Sequence, residues 1–128
     1  MPGDRLLIVD DNAANLKLTR ILLEIEGYEV RTAMDADEAA SVIRAFHPRL
    51  VLMDLQLPGR DGLTFTRDLK ADPETRDVRV VAFTAYAMKG DVDKALAAGC
   101  DAYVTKPIDT RVLGSTIAAC LRSPARLP

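Results

Sequence analysis

The sequence is poor in the residues that build metal clusters and disulfide frameworks. It has no tryptophan, one histidine and two cysteines among 128 residues. Cys100 and Cys120 belong to no Cys-x-x-Cys or Cys/His motif, so the sequence shows no zinc-binding pattern and allows at most one internal disulfide bond. We expect both thiols to be half-buried and unreactive, and His47, which precedes Pro48, to be a surface turn residue. This usage favours a cytoplasmic protein.

Long hydrophobic runs and an excess of positive charge are also absent. The longest apolar run, Ile117 to Leu121, is far shorter than the ~20 residues that span a bilayer, and the run before Asp10 is too short for a signal peptide. Lys and Arg number 17 against 19 Asp and Glu, a formal net charge of −2. Because phosphate-backbone binding draws on a positive field, we expect no direct binding to nucleic acid and no membrane insertion.

The sequence does contain enough apolar residues for one folded core. Hydrophobic residues make up 48% of its 128 positions, and this length suits one domain at a prior of roughly 150 residues per domain. We expect a single domain over residues 1–128. Its core should span about 5–121, followed by a flexible tail at 122–128 that is interrupted by prolines.

Short apolar runs predict the strands. Three runs are too brief for helices and rich in β-favouring residues, namely Leu6 to Val9, Leu50 to Met53 and Val80 to Phe83. Two further runs, Glu29 to Thr32 and Asp101 to Thr105, mix polar and apolar residues as expected at the edges of a sheet. The sequence therefore predicts five strands, three of them central.

Apolar residues at helical spacing predict a helix after each strand. Glycine and proline supply the stop signals, at Gly27, Pro48, Pro73 and Gly99. The residues expected to face the core are Leu18, Ile21, Leu22 and Ile25; Ala39, Val42, Ile43 and Phe46; Gly62, Phe65 and Leu69; Met88, Val92, Ala95 and Leu96; and Leu113, Ile117 and Leu121.

Strict alternation of strand and helix predicts parallel strands joined by right-handed crossovers, with helices on both faces of the sheet. With the three apolar strands in the centre, the simplest strand order is 2-1-3-4-5. The predicted fold class is α/β, a doubly wound five-stranded parallel sheet flanked by five helices, as in flavodoxin-like folds. Ligands of such sheets bind at the carboxyl ends of the strands where the order reverses, here between the first and third strands.

Polar residues follow the predicted strands at that edge. They are Asp10 and Asp11 after the first strand, Asp54 after the third, Thr84 after the fourth and Lys106 after the fifth. Carboxylates a few ångströms apart repel one another unless a cation compensates them, and oxygen ligands suit a hard ion, Mg²⁺ or alternatively Mn²⁺. Each aspartate alone also fits a polar turn that closes a strand. Their common position is what indicates a metal site.

The turn after the first strand argues against nucleotide binding. Asp10-Asp11-Asn12 stands where a glycine-rich turn would hold a pyrophosphate, which two acids repel. A phosphoryl group is compatible with this edge if a metal ion and Lys106 neutralise it and Thr84 offers its hydroxyl. As an isolated feature, Lys106 before Pro107 also fits an exposed lysine at a turn.

Four motifs in this order resemble the receiver domains of bacterial two-component response regulators. They are Val9-Asp10-Asp11-Asn12, Met53-Asp54 to Asp61-Gly62, Phe83-Thr84-Ala85 and Tyr103 to Pro107. The resemblance extends from Leu6 to Leu121 and implies the flavodoxin-like receiver fold. The string from Thr84 to Asp91 is most similar to single-domain regulators of the DivK type, which control cell division.

The resemblance implies the chemistry of the site. Asp54 corresponds to the phosphoacceptor, which takes a phosphoryl group from the phosphohistidine of a histidine kinase or histidine phosphotransfer protein. Asp10, Asp11, Asp54 and the backbone carbonyl of Gln56 correspond to the Mg²⁺ ligands. Lys106 corresponds to the cation that pairs with the bound phosphoryl group. Such a protein is a signalling switch that assists its own phosphorylation and dephosphorylation, rather than an enzyme with an external substrate.

The resemblance also implies how the signal leaves the site. Thr84 corresponds to a switch hydroxyl that moves towards the phosphoryl group, and Tyr103 corresponds to a switch aromatic that turns inward. The alternative for Tyr103 is a tyrosine that only covers an edge strand. The expected output is a changed protein-binding face on the fourth helix, fifth strand and fifth helix, roughly Met88 to Leu121. Small alanines on this face fit either docking or tight packing on the protein's own sheet.

Two further positions correspond to residues that tune dephosphorylation in this family, Gln56 and Tyr86. We predict that the bulky Tyr86 hinders the attacking water and prolongs the phosphorylated state. Pro107 corresponds to a proline whose preceding peptide bond is often cis in the family, which proline permits at low energy.

Three alternatives stay open from the sequence. The chain could be the receiver of a hybrid histidine kinase, although its start at Met1 and short tail favour a stand-alone protein. It could be a metal-dependent phosphohydrolase with an aspartate nucleophile, but such enzymes place a second acid two residues later, where this chain has Gln56. It could also be a receiver that binds partners without phosphorylation, since site residues persist without activity.

Overall fold

The computed structural model describes residues 3–55, 62–84, 89–105 and 110–122, and at 84, 89–92 and 110–112 it describes the backbone alone. Ten elements alternate along the chain. The strands are β1 (Arg5–Val9), β2 (Glu29–Ala33), β3 (Leu50–Asp54), β4 (Arg79–Thr84) and β5 (Ala102–Thr105). The helices are α1 (Ala13–Ile25), α2 (Ala36–Phe46), α3 (Gly62–Ala71), α4 (Lys89–Ala98) and α5 (Thr110–Arg122).

All five strands form one parallel sheet in the order β2-β1-β3-β4-β5. This confirms the predicted order and the predicted fold class. The three central strands are the continuously apolar ones, because both of their faces are covered. β2 and β5, which mix polar and apolar residues, lie at the edges.

The core consists of two apolar layers, one on each face of the sheet. Alternate residues of a strand point to opposite faces, so Leu7 and Val9 pack with α2, α3 and α4. Leu6 and Ile8 pack with α1 and α5 on the other face. Each fully buried leucine or isoleucine contributes about 1.5–3 kcal/mol to the stability of such a core. The two layers hold the strand ends in a fixed register.

The predicted buried face of α1 is wrong. Of the four expected residues, Leu18, Ile21 and Ile25 are 47%, 42% and 78% exposed. The buried residues of this helix are Leu16, Thr19 and Leu23. Both sets repeat at helical spacing, because the helix carries apolar residues on two sides. The apolar pattern therefore does not determine which of the two sides is buried.

The faces of the other helices agree with prediction wherever their side chains are described. α2 buries Ala39, Ile43 and Phe46, and α3 buries Phe65 and Leu69. α5 buries its predicted leucines and isoleucine, and Ala95 of α4 is buried while Leu96 is half-buried. Met88 lies outside the described residues, and the side chain of Val92 is not described.

The helix ends follow local chemistry. Asp35 caps α2 by accepting the Glu38 N–H at 2.8 Å, and Glu38 in return accepts the Met34 N–H at 2.8 Å. Gly27 and Gly99, predicted as stops, adopt left-handed φ values of 98° and 109°.

The expectation for the cysteines is correct at one position and wrong at the other. Cys120 is half-buried, but Cys100 is fully buried. They belong to the layers on opposite faces of the sheet, so the sheet separates the two thiols. In the described part of the chain, every helix is too short or too polar to cross a membrane.

Candidate metal and phosphoryl site

The carboxylates of Asp10, Asp11 and Asp54 meet at the carboxyl edge of the sheet. Val9 of β1 pairs with Met53 of β3, so the next residue along each strand, Asp10 and Asp54, reaches the edge at the same level. One carboxylate oxygen from each of the three aspartates lies within 4.8 Å of the other two. The structure therefore brings together the three acids that the sequence places at the ends of two different strands.

The three acids differ in burial. Asp10 and Asp54 are 1% and 2% exposed, whereas Asp11 is exposed. Asp10 is fixed by the turn that follows it, since its Oδ1 accepts the Asn12 N–H at 2.9 Å and its own N–H donates to the Ala33 carbonyl at 3.1 Å. The site thus has a buried floor and one acid on the solvent side.

This arrangement fits one hard divalent cation. Burying two carboxylates beside a third is unfavourable unless positive charge compensates them. Two oxygens bound to one Mg²⁺ at about 2.1 Å are at most about 4.2 Å apart, so small side-chain rotations complete the coordination from the observed spacing. The donor set is all oxygen, which suits Mg²⁺ or Mn²⁺ rather than thiolate- or imidazole-seeking metals.

The chain around Asp54 is held from both sides. The Leu55 N–H donates to the Phe83 carbonyl of β4, and the Leu55 carbonyl accepts the Gly62 N–H of α3, both at 3.3 Å. The start of α3 lies so close that a Cβ on Gly62 would be 2.7 Å from the Asp54 carbonyl oxygen. Within α3, Thr66 donates its buried hydroxyl to the Gly62 carbonyl at 2.7 Å.

Gly62 is a positioning residue, a role that was not predicted. It was expected on the apolar face of the third helix and stands at the end of the motif that contains Asp54. The signal in the sequence that could have identified this role is the glycine itself, at a position on a buried helix face. Alanine is about 1 kcal/mol more favourable than glycine within a helix, so a glycine on a buried helix face points to a close backbone approach. Here the approach is to the backbone of Asp54.

The predicted switch residues lie on the two strands beyond β3. Thr84 is the last residue of β4 and pairs with Thr105 of β5, one step further along than the Asp54–Phe83 pair. Tyr103 pairs with Ala82 and is 45% exposed. In this structure Tyr103 therefore lies on the outer side of the edge strand.

Four of the predicted site residues fall outside the described part of the chain: Gln56, Tyr86, Lys106 and Pro107. Lys106 follows Thr105 directly in the sequence. Of the alanines on the expected output face, Ala95 and Ala98 are buried against the protein's own core and Ala97 is exposed. Tight packing on the sheet therefore accounts for the first two.

Comparison with known families gives one extended match. The response regulator receiver domain family matches residues 6–118. The polar-differentiation response regulator DivK of Brucella ovis is 45% identical over 115 residues, which cover 90% of this chain and 94% of that protein.

Solved structures give the same fold. The receiver domain of a sensor histidine kinase from Pseudomonas aeruginosa, solved with a magnesium ion in its active-site cleft, has a TM-score of 0.86 and 31% identity. It is matched over 94% of this chain and 99% of its own. A CheY-like receiver domain protein from Methanospirillum hungatei has a TM-score of 0.85 and 34% identity, over 93% and 94% of the two chains.

Proposed function

This chain belongs to the response-regulator receiver family of two-component signalling, and from that premise we propose that Asp54 is its phosphoacceptor. The observation that carries the proposal is the position of this carboxylate. It is buried at the carboxyl end of β3, beside the point where the strand order reverses, with oxygens of Asp10 and Asp11 within 4.8 Å.

The proposed reaction is a phosphoryl transfer from a phosphohistidine. One Asp54 oxygen attacks the phosphorus atom and forms a P–O bond while the P–N bond to the imidazole breaks. The imidazole nitrogen takes up a proton as it leaves. A carboxylate is a weak nucleophile towards an anionic group, so positioning and charge neutralisation supply most of the reduction in the barrier.

The cation that fits this site is Mg²⁺, held by Asp10, Asp11, Asp54 and the backbone carbonyl of Gln56. When bound, it neutralises negative charge on the carboxylates and on the phosphoryl oxygens. The buried Asp10 fixes the floor of the site through its turn, and the exposed Asp11 approaches from the solvent side. Lys106, next to the end of β5, is the proposed partner of the phosphoryl oxygens.

The proposed output is a conformational change on the α4, β5 and α5 side. An aspartyl phosphate carries about −2 of charge where the free carboxylate carries −1, so phosphorylation adds about −1 and the acceptor oxygens of a phosphoryl group. Thr84 lies one register step from Asp54 on the next strand, and we propose that it is the first residue to move when Asp54 is phosphorylated. The outward Tyr103 is the aromatic ring that we propose turns inward when Thr84 moves.

The proposed partners are proteins. Response regulators in general act with histidine kinases and downstream targets, and we propose a histidine kinase or histidine phosphotransfer protein as donor here. The target would dock on the α4–β5–α5 face, in the cytoplasm. The DivK relatives are polar-differentiation response regulators, so polar differentiation and the cell cycle are the first processes to test.

The experiment is intact mass spectrometry after incubation with acetyl phosphate and Mg²⁺. We expect the parent protein to gain the mass of one phosphoryl group. The Asp54→Ala variant and a metal-free sample should gain none. Asp54→Asn keeps the shape of the side chain but removes the nucleophilic carboxylate, so it should also gain no mass. Cooperative unfolding of this variant would show that the loss does not come from a failure to fold.

Two results would overturn the proposal. Phosphorylation of Asp54→Ala at the parent rate would place the acceptor elsewhere. Failure of the folded parent to gain mass, both with acetyl phosphate and with a phosphorylated histidine kinase, would favour a docking module that works without phosphorylation. Sustained release of phosphate from an added phosphomonoester would instead support the phosphohydrolase alternative.

A further inference from the structure

A cavity of about 570 Å³ lies at the edge of the sheet opposite the carboxylates. It is formed between the end of α2 and the connection 72–78 that joins α3 to β4. Its volume is in the range of small-molecule sites. β3 spans five residues, about 16 Å at about 3.3 Å per residue, so this cavity and the phosphoryl site are separate.

The floor of the cavity is apolar. Ile43 and Pro48 are buried and Val78 is half-buried, and all three line the space. A ligand with an apolar body therefore removes carbon surface from water on both sides of the contact, which is worth about 25 cal/mol per Å².

One side of the cavity carries a guanidinium and an imidazole, and the other carries two carboxylates. Arg44 and His47 at the end of α2 line one side, and Glu74 and Asp77 of the connection line the other. In the described part of the chain, these four side chains form no hydrogen bond or ion pair. Arg49 and Arg79 also line the cavity, and both already have partners. Arg49 is paired with Asp4 at 3.1 Å, and Arg79 donates to the Asp77 carbonyl at 3.0 Å.

Opposite charges that face each other without pairing indicate a gap wider than an ion pair. A molecule with a positive and a negative end can bridge that gap and satisfy both sides, whereas a simple anion or cation is repelled by one of them. The charge pattern therefore selects zwitterions over singly charged ligands.

The acidic side is held rigidly. Within the connection, Asp72 accepts the N–H groups of Glu74, Thr75 and Arg76 at 2.8 to 3.0 Å. From α3, the Lys70 Nζ donates to the Val78 carbonyl at 2.8 Å, and the Leu69 carbonyl accepts the Thr75 hydroxyl at 2.7 Å. A binding surface that is ordered in advance loses less entropy when a ligand binds.

The basic side is also ordered. His47 caps α2 in the left-handed region at φ 52°, and its N–H donates to the Ile43 carbonyl at 3.0 Å. A non-glycine residue at positive φ is uncommon. His47 and Arg44 both line the cavity.

We propose that this cavity binds a small zwitterion with an apolar body, of the dipeptide or amino-acid class. The carboxylate of the ligand pairs with Arg44 and accepts a hydrogen bond from His47, its ammonium group pairs with Glu74 and Asp77, and its side chain covers Ile43, Pro48 and Val78. The site is independent of the proposed phosphoacceptor.

The test is a titration of ¹⁵N-labelled protein with the dipeptide alanyl-leucine, followed by NMR. We expect amide shifts in residues 43–49 and 74–79, at millimolar concentrations of the dipeptide. N-acetyl-alanyl-leucine lacks the ammonium group and alanyl-leucinamide lacks the carboxylate. Each should bind at least about threefold more weakly, the effect of losing one solvent-exposed ion pair.

Matched variants locate the contacts. Arg44→Gln and Asp77→Asn should each weaken alanyl-leucine binding about threefold or more, while Arg20→Gln on the distant α1 leaves it unchanged. The gain in mass with acetyl phosphate should be the same in all three variants. This readout separates failure of the cavity proposal from failure of the proposed phosphoacceptor.

Three results would overturn the proposal. One is the absence of shifts around the cavity. Another is equal affinity for the dipeptide and both blocked forms, which would show that the charges do not contribute. The third is binding by Arg44→Gln and Asp77→Asn that matches the Arg20→Gln control.

Discussion

A methyl group on Gly62 would lie 2.7 Å from the carbonyl oxygen of Asp54 and 2.8 Å from the Cα of Leu55. Both distances are shorter than real Cβ contacts allow, and both neighbours are backbone atoms that cannot rotate away. The first turn of α3 and the end of β3 are therefore packed backbone to backbone. The position of the proposed phosphoacceptor depends on this contact.

We predict that Gly62→Ala lowers the free energy of unfolding by about 1–3 kcal/mol, the usual effect of overpacking. It should also slow the gain of mass with acetyl phosphate, because the backbone of Asp54 must shift. Urea unfolding and mass spectrometry measure the two effects. The control is Gly114→Ala on α5, where the three atoms nearest to a Cβ belong to the far end of the Glu26 side chain, which can rotate away. Equal stability of the two variants would contradict the prediction.

Asp11→Asn tests the cation site without disturbing the core, because Asp11 is the exposed member of the three acids. We expect Mg²⁺ to raise the melting temperature of the parent protein, since a ligand that binds only the folded state stabilises it. The variant should gain less. Glu24→Gln removes one charge at the far end of α1 and should respond like the parent. Equal Mg²⁺ responses of Asp11→Asn and the parent would argue against Asp11 as a ligand.

Lys70 of α3 and Asp101, the residue before β5, form a partly buried ion pair. Their Nζ and Oδ2 atoms are 3.0 Å apart, and the same Oδ2 accepts the Val80 N–H at 2.8 Å. We predict that Asp101→Ala lowers the free energy of unfolding by about 1–3 kcal/mol, because it leaves partly buried donors without their acceptor. The exposed Arg20–Glu24 pair at 3.6 Å is the control. Arg20→Ala should lower it by less than about 0.5 kcal/mol, and urea unfolding compares the two.

Tyr28 should make the protein less stable in alkali. Burial, and then the nearby Glu26 and Asp4 carboxylates, raise the pKa of its hydroxyl above the usual value of 10.0. Above that value the unfolded chain loses the phenolic proton before the folded one does, so stability falls as the pH rises through the two pKa values. Tyr28→Phe should flatten this loss in thermal unfolding between about pH 9 and pH 11. An unchanged slope would contradict the assignment.

Tyr86→Ala tests the proposed control of the phosphoryl lifetime. If the tyrosine ring hinders the attacking water, its removal should speed dephosphorylation, seen as faster loss of the phosphoryl mass after the donor is removed. Ile25→Ala removes an exposed apolar side chain at the far end of α1 and serves as the control. A dephosphorylation rate in Tyr86→Ala equal to the parent rate would show that the ring does not shield the site.

Much of the fold is readable from the sequence because its signals are local. Apolar runs such as Leu50 to Met53 are too short for helices, and Gly27 and Gly99 stop helices through their backbone freedom. Alternation of strands and helices then leaves few topologies. The meeting of Asp10 with Asp54 follows from that topology, since parallel neighbours end at the same edge.

The elements, the strand order and the three acids of the candidate metal site were predictable because they depend on residue type and spacing along the chain. The buried side of α1 was not, because Leu16 and Leu18 fit the helical period equally well and only packing distinguishes them. Packing also decided the burial of Cys100 and the approach of Gly62 to Asp54. These features depend on the packing of segments distant in sequence, which periodicity does not record.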